Sequence, residues 1–217
     1  MNRYDTVVFD LDGTLLNTLD DLADAVNYAM RMNHYPERTV DEVRRFVGNG
    51  IRRLMELATP ESVTGEAFES VFEEFKNYYT EHCQIKTCAY EGIMSLLERL
   101  YASGYEMAIV SNKNHAAVCE LNEIYFKKYI KVAIGQQDGI QKKPAPDTVL
   151  QALKELGKEK DTAIYVGDSE VDFLTAQNTG MDCALVTWGF RTREELSEYT
   201  PTAWADHPEQ LFEVLEK

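Results

Sequence analysis

Five short runs rich in apolar and β-branched residues recur along the chain, and stretches with helical spacing separate the later ones. The runs are TVVFDLDG (6–13), YEMAIVSN (105–112), KVAIGQ (131–136), TAIYVGDS (162–169) and DCALVTWG (182–189). Between them lie GIMSLLERLYASG (92–104), where Gly104 suits a helix C-terminus, and PDTVLQALKELG (146–157), with Val149, Leu150, Leu153 and Leu156 at helical spacing. A strand that is apolar along its whole length is buried on both faces. The alternation therefore predicts an α/β fold, a doubly wound parallel sheet with helices on each side. In such sheets ligands bind beyond the carboxyl ends of the strands. Three of the runs end there in polar residues: DLD, SNK and GDS.

Residues 16–86 break the alternation and carry only helical signals. Leu19, Leu22, Ala23, Val26 and Met30 form one apolar stripe. Thr39-Val-Asp-Glu42 has the spacing of a capping box and opens a second helix that stops near Gly48. Phe68, Val71, Phe72, Phe75 and Tyr79 form a strong stripe on a longer helix. The expected organisation is a core of residues 1–15 and 87–217, carrying a small all-helical cap domain at 16–86 inserted after the first strand, above the sheet's active edge. The aromatic stripe is expected to serve as the cap's own core, with any surplus of exposed rings available to a dimer.

Composition narrows the partners. With 22 Lys and Arg against 37 Asp and Glu the formal net charge is −15. Such a chain repels nucleic acid and anionic lipid, which excludes both as principal partners. No apolar run approaches the ~20 residues that span a bilayer, and MNRYDTVVFD lacks the apolar core of a signal peptide. Cys83, Cys88, Cys119 and Cys183 include no CxxC pair, so a reducing, cytoplasmic setting is expected. His82, Cys83 and Cys88 fit no common zinc spacing and are expected to be structural.

The polar strand ends carry the chemistry. Side chains at i and i+2 of an extended segment point the same way, so Asp10 and Asp12 can face one ligand while Gly13 lets the backbone turn away. Two neighbouring carboxylates suit a division between an ionised nucleophile or metal ligand and a protonated acid; the plainer alternative is a polar turn. Ser111 and Asn112 can bind a phosphoryl oxygen, or can simply cap a helix. Lys143, ahead of Pro144 and Pro146, is a fixed charge suited to a phosphate or a crowded carboxylate pair, or else a solvated lysine. Asp168 and Asp172 sit i and i+4 around a helix start and can reach one site. Oxygen ligands without His or Cys favour Mg²⁺; the plainer alternative is a helix cap and a charge at the helix's positive end. Four strand ends polar in mutually compatible ways are better explained together, by one site.

The ordered set DLDGT, SN, KP and GDSEVD resembles the four motifs of the haloacid dehalogenase superfamily, and the helical insert resembles the cap of its phosphoglycolate phosphatase-like branch. The resemblance covers essentially the whole chain. It implies that Asp10 attacks phosphorus to form an aspartyl-phosphate, and that Asp12 protonates the leaving oxygen and then deprotonates water. It further implies that Ser111 and Lys143 hold the transferring group, and that Mg²⁺ is bound by Asp10, the Asp12 carbonyl and Asp168, with Asp172 close by. Thr14 and Asn112 count with the substrate-binding residues. Asp12 argues against a true dehalogenase, and Thr14, where phosphosugar mutases usually carry valine, argues against a mutase.

Substrate identity is expected in the cap. In RRFVGNGIRR (44–53), Arg44, Arg45, Arg52 and Arg53 flank Gly48-Asn49-Gly50. Exposed backbone N–H groups and arginine forks suit a carboxylate such as that of 2-phosphoglycolate; the plainer alternative is arginines that salt-bridge within an acidic protein. The expectation is thus a Mg²⁺-dependent phosphatase of a small phosphorylated metabolite, acting as monomer or homodimer. The runner-up substrates are pyrophosphate, a nucleoside monophosphate and a sugar phosphate. A phosphate-binding protein without catalysis is the alternative of a different class.

Overall fold

A computed structural model describes residues 3–216. Along the chain, β1 (Thr6–Phe9) and the two-residue β2 (Leu16–Asn17) precede four helices, α1 (Leu19–Met32), α2 (Val40–Phe46), α3 (Ile51–Ala58) and α4 (Glu66–His82). Then follow β3 (Cys88–Ala89), α5 (Ile93–Ala102), β4 (Glu106–Asn114), α6 (His115–Tyr125), β5 (Val132–Gln136) and α7 (Asp147–Leu156). The chain ends with β6 (Ala163–Gly167), α8 (Glu170–Thr179), β7 (Asp182–Val186), β8 (Ala203–Ala205) and α9 (Pro208–Leu215). Two compact units result, residues 1–15 with 89–217, and residues 16–88.

The first unit is a six-stranded sheet in the order β5-β4-β1-β6-β7-β8, with every neighbouring pair parallel. Val7, Val8 and Phe9 are fully buried, as a central strand covered on both faces requires. After β5 the chain crosses through α7 to β6, on the other side of β1, so the order reverses at β1. That reversal is where an open α/β sheet forms its ligand crevice. Phe9 pairs with Ile109 on one side and Val166 on the other, which sets Asp10 and Asp168 just past the ends of β1 and β6, beside Ser111 in the last half of β4.

Helix α7 corrects one expectation. Val149 and Leu153 are buried, but Leu150 is 47% exposed, because the buried face runs through Thr148, Val149, Ala152 and Leu153 and leaves position 150 a step round the helix. Gly157 ends the helix in the left-handed region and Gly104 follows α5 with φ +84. Strand β8, AWA, has no clear sequence signal because it is only three residues long, two half-buried and Ala205 buried, too few to show a period.

The second unit is a helical domain with its own core. Phe68, Val71, Phe72, Phe75 and Tyr79 of α4 are all buried, packed with Leu22, Val26, Met30, Val43, Leu54 and Met55. The capping box is present: Thr39 Oγ1 accepts from the Glu42 N–H at 3.2 Å, and Glu42 Oε2 accepts from the Thr39 N–H at 2.8 Å. The seven-residue α2 and eight-residue α3 are separated at Gly48-Asn49-Gly50. The two-residue β2 pairs with β3, so the insert is not purely helical. Asp21, buried in the first turn of α1, accepts from the backbone N–H groups of Lys86 and Thr87, which ties the end of the unit to its start.

Candidate active site

Asp10 continues β1, its N–H donating to the Val166 carbonyl at 2.8 Å. Asp168 lies one residue past β6, and Asp172 sits in the first turn of α8. One oxygen from each of these three buried carboxylates lies within 4.8 Å of one from the others. Lys143, 2% exposed, comes in from the loop before α7. Its ammonium donates to Asp10 Oδ1 at 2.7 Å, Asp172 Oδ1 at 2.8 Å and the Tyr165 hydroxyl at 3.0 Å. All three ammonium protons are thereby used. Asp172 is the anchor of the group: its Oδ2 accepts from the N–H groups of Asp168 and Ser169 and from the Ser169 hydroxyl, while Tyr165 donates to its Oδ1. The helix-cap reading of Ser169 and Asp172 holds, and it is compatible with their place in the site.

Three carboxylates face one ammonium in a largely buried space, so the fully ionised trio would exceed it by two negative charges. Burial pushes Asp10 well above the usual carboxylate range; repulsion from Asp172 adds to this and Lys143 opposes it. Asp168 is raised to about 7, chiefly by burial and then by Asp172, against the Phe190 N–H that donates to its Oδ2 at 2.7 Å. Burial would lower Lys143, but Asp10 and Asp172 outweigh it and hold the ammonium well above its ordinary value. An all-oxygen donor set whose ionised form exceeds its ammonium by two negative charges fits a hard divalent cation.

Asp12 stands apart from this trio. Its side chain pairs with Lys113, whose Nζ lies 3.3 Å from Asp12 Oδ1, so any part it has in holding a cation falls to its backbone carbonyl. Ser111 is buried and is not a helix cap; Asn114 caps α6 by accepting from the Ala116 N–H. The Ser111 hydroxyl instead accepts from the Lys113 N–H at 3.2 Å. Asn112 donates to the Lys143 carbonyl at 3.1 Å and fixes the lysine's loop. Thr14 is fully buried and donates to Asp168 Oδ1 at 3.3 Å, which makes it a support for that carboxylate.

The cap residues Gly48, Asn49, Gly50, Arg45 and Arg52 belong to the helical unit and are described within it. Arg44 and Arg45 both pair with Asp41, Arg53 with Glu56, and Arg52 makes a two-pronged bridge to Glu69 at 2.9 Å while stacking on Phe72. Each arginine of the cluster thus has an acidic partner within its own unit. His82 stacks on Tyr78 and bonds its carbonyl; with Cys83 and Cys88 it forms no metal-binding group among the described residues.

Two participants escaped the sequence reading. Tyr165 looked like one more apolar strand residue in AIYVG, although a buried tyrosine hydroxyl always requires a polar partner. Lys113 closes the polar strand end SNK but has no role of its own in the sequence, and it is only 8% exposed.

Gly13 has φ +90, and a Cβ there would fall inside the Asp168 carboxylate. Gly13→Ala is therefore expected to displace Asp168, lowering turnover by at least ~100-fold, about 2.7 kcal/mol of barrier, and costing about 1–3 kcal/mol in urea unfolding. An alanine variant with wild-type turnover would show that the close approach is unimportant.

Comparison with known proteins gives the family. Residues 7–186 match the family model of haloacid dehalogenase-like hydrolases. Phosphoglycolate phosphatase 1 of Pseudomonas aeruginosa is 32% identical over 212 residues, covering 95% of this chain and 78% of that protein. N-acetylmuramic acid 6-phosphate phosphatase of the same organism is 29% identical over 222 residues, covering 99% and 96%. A crystal structure from Lactobacillus delbrueckii, named by inference as a phosphoglycolate phosphatase, superposes with a TM-score of 0.94 at 36% identity over 100% of this chain and 99% of that one.

Proposed function

The chain belongs to the haloacid dehalogenase-like hydrolases, and we propose that it is a Mg²⁺-dependent phosphatase of small anionic phosphate monoesters, 2-phosphoglycolate first among them. The observation that carries this is the buried trio Asp10, Asp168 and Asp172 around Lys143 at the switch point of the sheet. Asp10, Asp168 and the Asp12 carbonyl would hold the cation, with Asp172 beside them. When bound, Mg²⁺ supplies the two missing positive charges and Lewis-acid polarisation of the phosphoryl group.

In the first step an Asp10 carboxylate oxygen attacks phosphorus, the bond from phosphorus to the ester oxygen breaks, and Asp12 gives that oxygen a proton. In the second, water attacks the same phosphorus, its proton passes to Asp12, and the bond to Asp10 breaks, releasing phosphate. Two displacements through a covalent carboxylate replace one slow hydrolysis. Lys143 holds Asp10 in a fixed orientation throughout, and the Ser111 hydroxyl would bind a phosphoryl oxygen.

The relatives named phosphoglycolate phosphatase support that substrate at about 30% identity over nearly the whole chain. A second reading, a sugar-acid phosphate, is favoured by the relative named for N-acetylmuramic acid 6-phosphate. Phosphate release from both compounds, pyrophosphate, nucleoside monophosphates and neutral sugar phosphates, with Mg²⁺ and with EDTA, tests the proposal. The expected result is Mg²⁺-dependent release with the highest kcat/KM on 2-phosphoglycolate. Release that persists in EDTA would exclude the metal-dependent mechanism, and a neutral sugar phosphate as best substrate would overturn the assignment to anionic esters.

A further inference from the structure

We infer that Lys113 is a specificity residue that receives a carboxylate on the leaving group of the substrate. The inference rests on the phosphatase reading and deepens it. Lys113 is a second buried cation in a chain of net charge −15. Its duties differ from those of Lys143, whose three protons are committed to Asp10, Asp172 and Tyr165. The Lys113 ammonium instead lies 3.3 Å from Asp12 Oδ1, and the side chains of this pair are 6% and 16% exposed. The pair is thus sheltered at the lysine and more open at the aspartate.

Asp12 is the group that passes a proton to the leaving oxygen. An ammonium in contact with its carboxylate therefore stands next to the leaving group. In 2-phosphoglycolate a single methylene separates the carboxylate carbon from the ester oxygen. A carboxylate so placed falls within reach of any cation touching the acid that serves that oxygen. The cation is also well fixed at its root. The Lys113 N–H donates to Ser111 Oγ at 3.2 Å, and the Lys113 carbonyl packs so closely on Gly135 of β5 that no Cβ fits there. The arginine cluster of the helical unit, first in line from sequence for this task, is engaged throughout with Asp41, Glu56 and Glu69.

The test compares 2-phosphoglycolate with ethyl phosphate, in which a methyl group replaces the carboxylate, for wild type, Lys113→Met and Lys113→Arg. Wild type is expected to prefer 2-phosphoglycolate in kcat/KM. Whatever Lys113→Met loses on ethyl phosphate, it is expected to lose on the order of 100-fold more on 2-phosphoglycolate, as truncating one partner of a buried charge pair does. Lys113→Arg should keep most of the preference, which covers the case in which the methionine variant does not fold. Equal losses on both esters would overturn the inference, because a lysine that only positions Asp12 or supports the fold serves both alike. A wild type without preference would overturn it too, leaving the phosphatase reading intact. Calorimetric binding in the Asp10→Asn background gives a readout without turnover: Lys113→Met should weaken 2-phosphoglycolate on the order of 100-fold and inorganic phosphate much less. If wild type binds 2-phosphoglycolate but hydrolyses neither ester, the phosphatase reading fails, and the binding comparison still decides the role of Lys113.

Discussion

Asp10→Asn is expected to abolish phosphate release, with kcat lowered by at least ~10⁴-fold, while the protein stays folded and its metal-free form melts at a higher temperature than wild type. The two halves of this result have different physical origins. An amide oxygen is a far weaker nucleophile than a carboxylate, and removal of the group that forms the covalent bond removes both displacements; losses of this size follow deletion of a nucleophile elsewhere. The stability gain comes from the crowding of charge. In the metal-free protein, burial and the nearby Asp172 already push Asp10 towards its protonated form, and an uncharged isostere removes one of three carboxylates competing for one ammonium. Lys143 keeps Asp172 and the Tyr165 hydroxyl as acceptors. Phosphate release on 2-phosphoglycolate and thermal melts with and without Mg²⁺ check both halves. Retention of more than about one per cent of turnover would assign the attack to another group. A lowered metal-free melting temperature would show that the Asp10–Lys143 pair outweighs the repulsion.

Much of this site is legible in the chain because a parallel sheet has a strong sequence form. Each buried strand must be apolar throughout, so the residue where polarity begins marks the strand's carboxyl end, and that is where ligands bind. Asp10, Ser111 and Asp168 all stand one or two residues past such a change. What periodicity cannot supply is distance across the fold. Lys143 and Asp10 are 133 positions apart and meet only because α7 crosses from β5 to β6. Whether Lys143 is solvated or buried depends on that crossing, so the sequence leaves both readings open for it. Thr14 and Asn112, placed from sequence with the substrate, also donate to Asp168 and to the carbonyl of Lys143. The cap arginines differ again: a basic cluster in a very acidic chain draws attention, and nearby acids, Asp41 and Glu56 within a helical turn and Glu69 across to α4, pair with its exposed side chains in weak, water-screened bonds.

Lys143→Met is expected to be the most destabilising single change in the site, costing the metal-free protein about 3–5 kcal/mol, the range found when one partner of a buried ion pair is removed. The lysine side chain is 3% exposed, and its neighbours Asp10 and Asp172 are 10% and 0% exposed, so water cannot take its place. Methionine fills a similar volume, which confines the loss to charge and hydrogen bonding rather than to a cavity. Three carboxylates would then share one buried space with no cation, and Asp172, which also orders Asp168 and Ser169 through their N–H groups, would lose its strongest partner. Two comparisons separate this account from a general packing defect. Mg²⁺ should recover part of the lost stability, because it supplies charge to the same carboxylates, and Asp172→Asn added to Lys143→Met should be less destabilising than the sum of the two single changes. Urea unfolding of the single and double variants, each with Mg²⁺ and with EDTA, measures both. Additive losses that Mg²⁺ leaves unchanged would mean that Lys143 supports the fold through its loop rather than through the charge at its end.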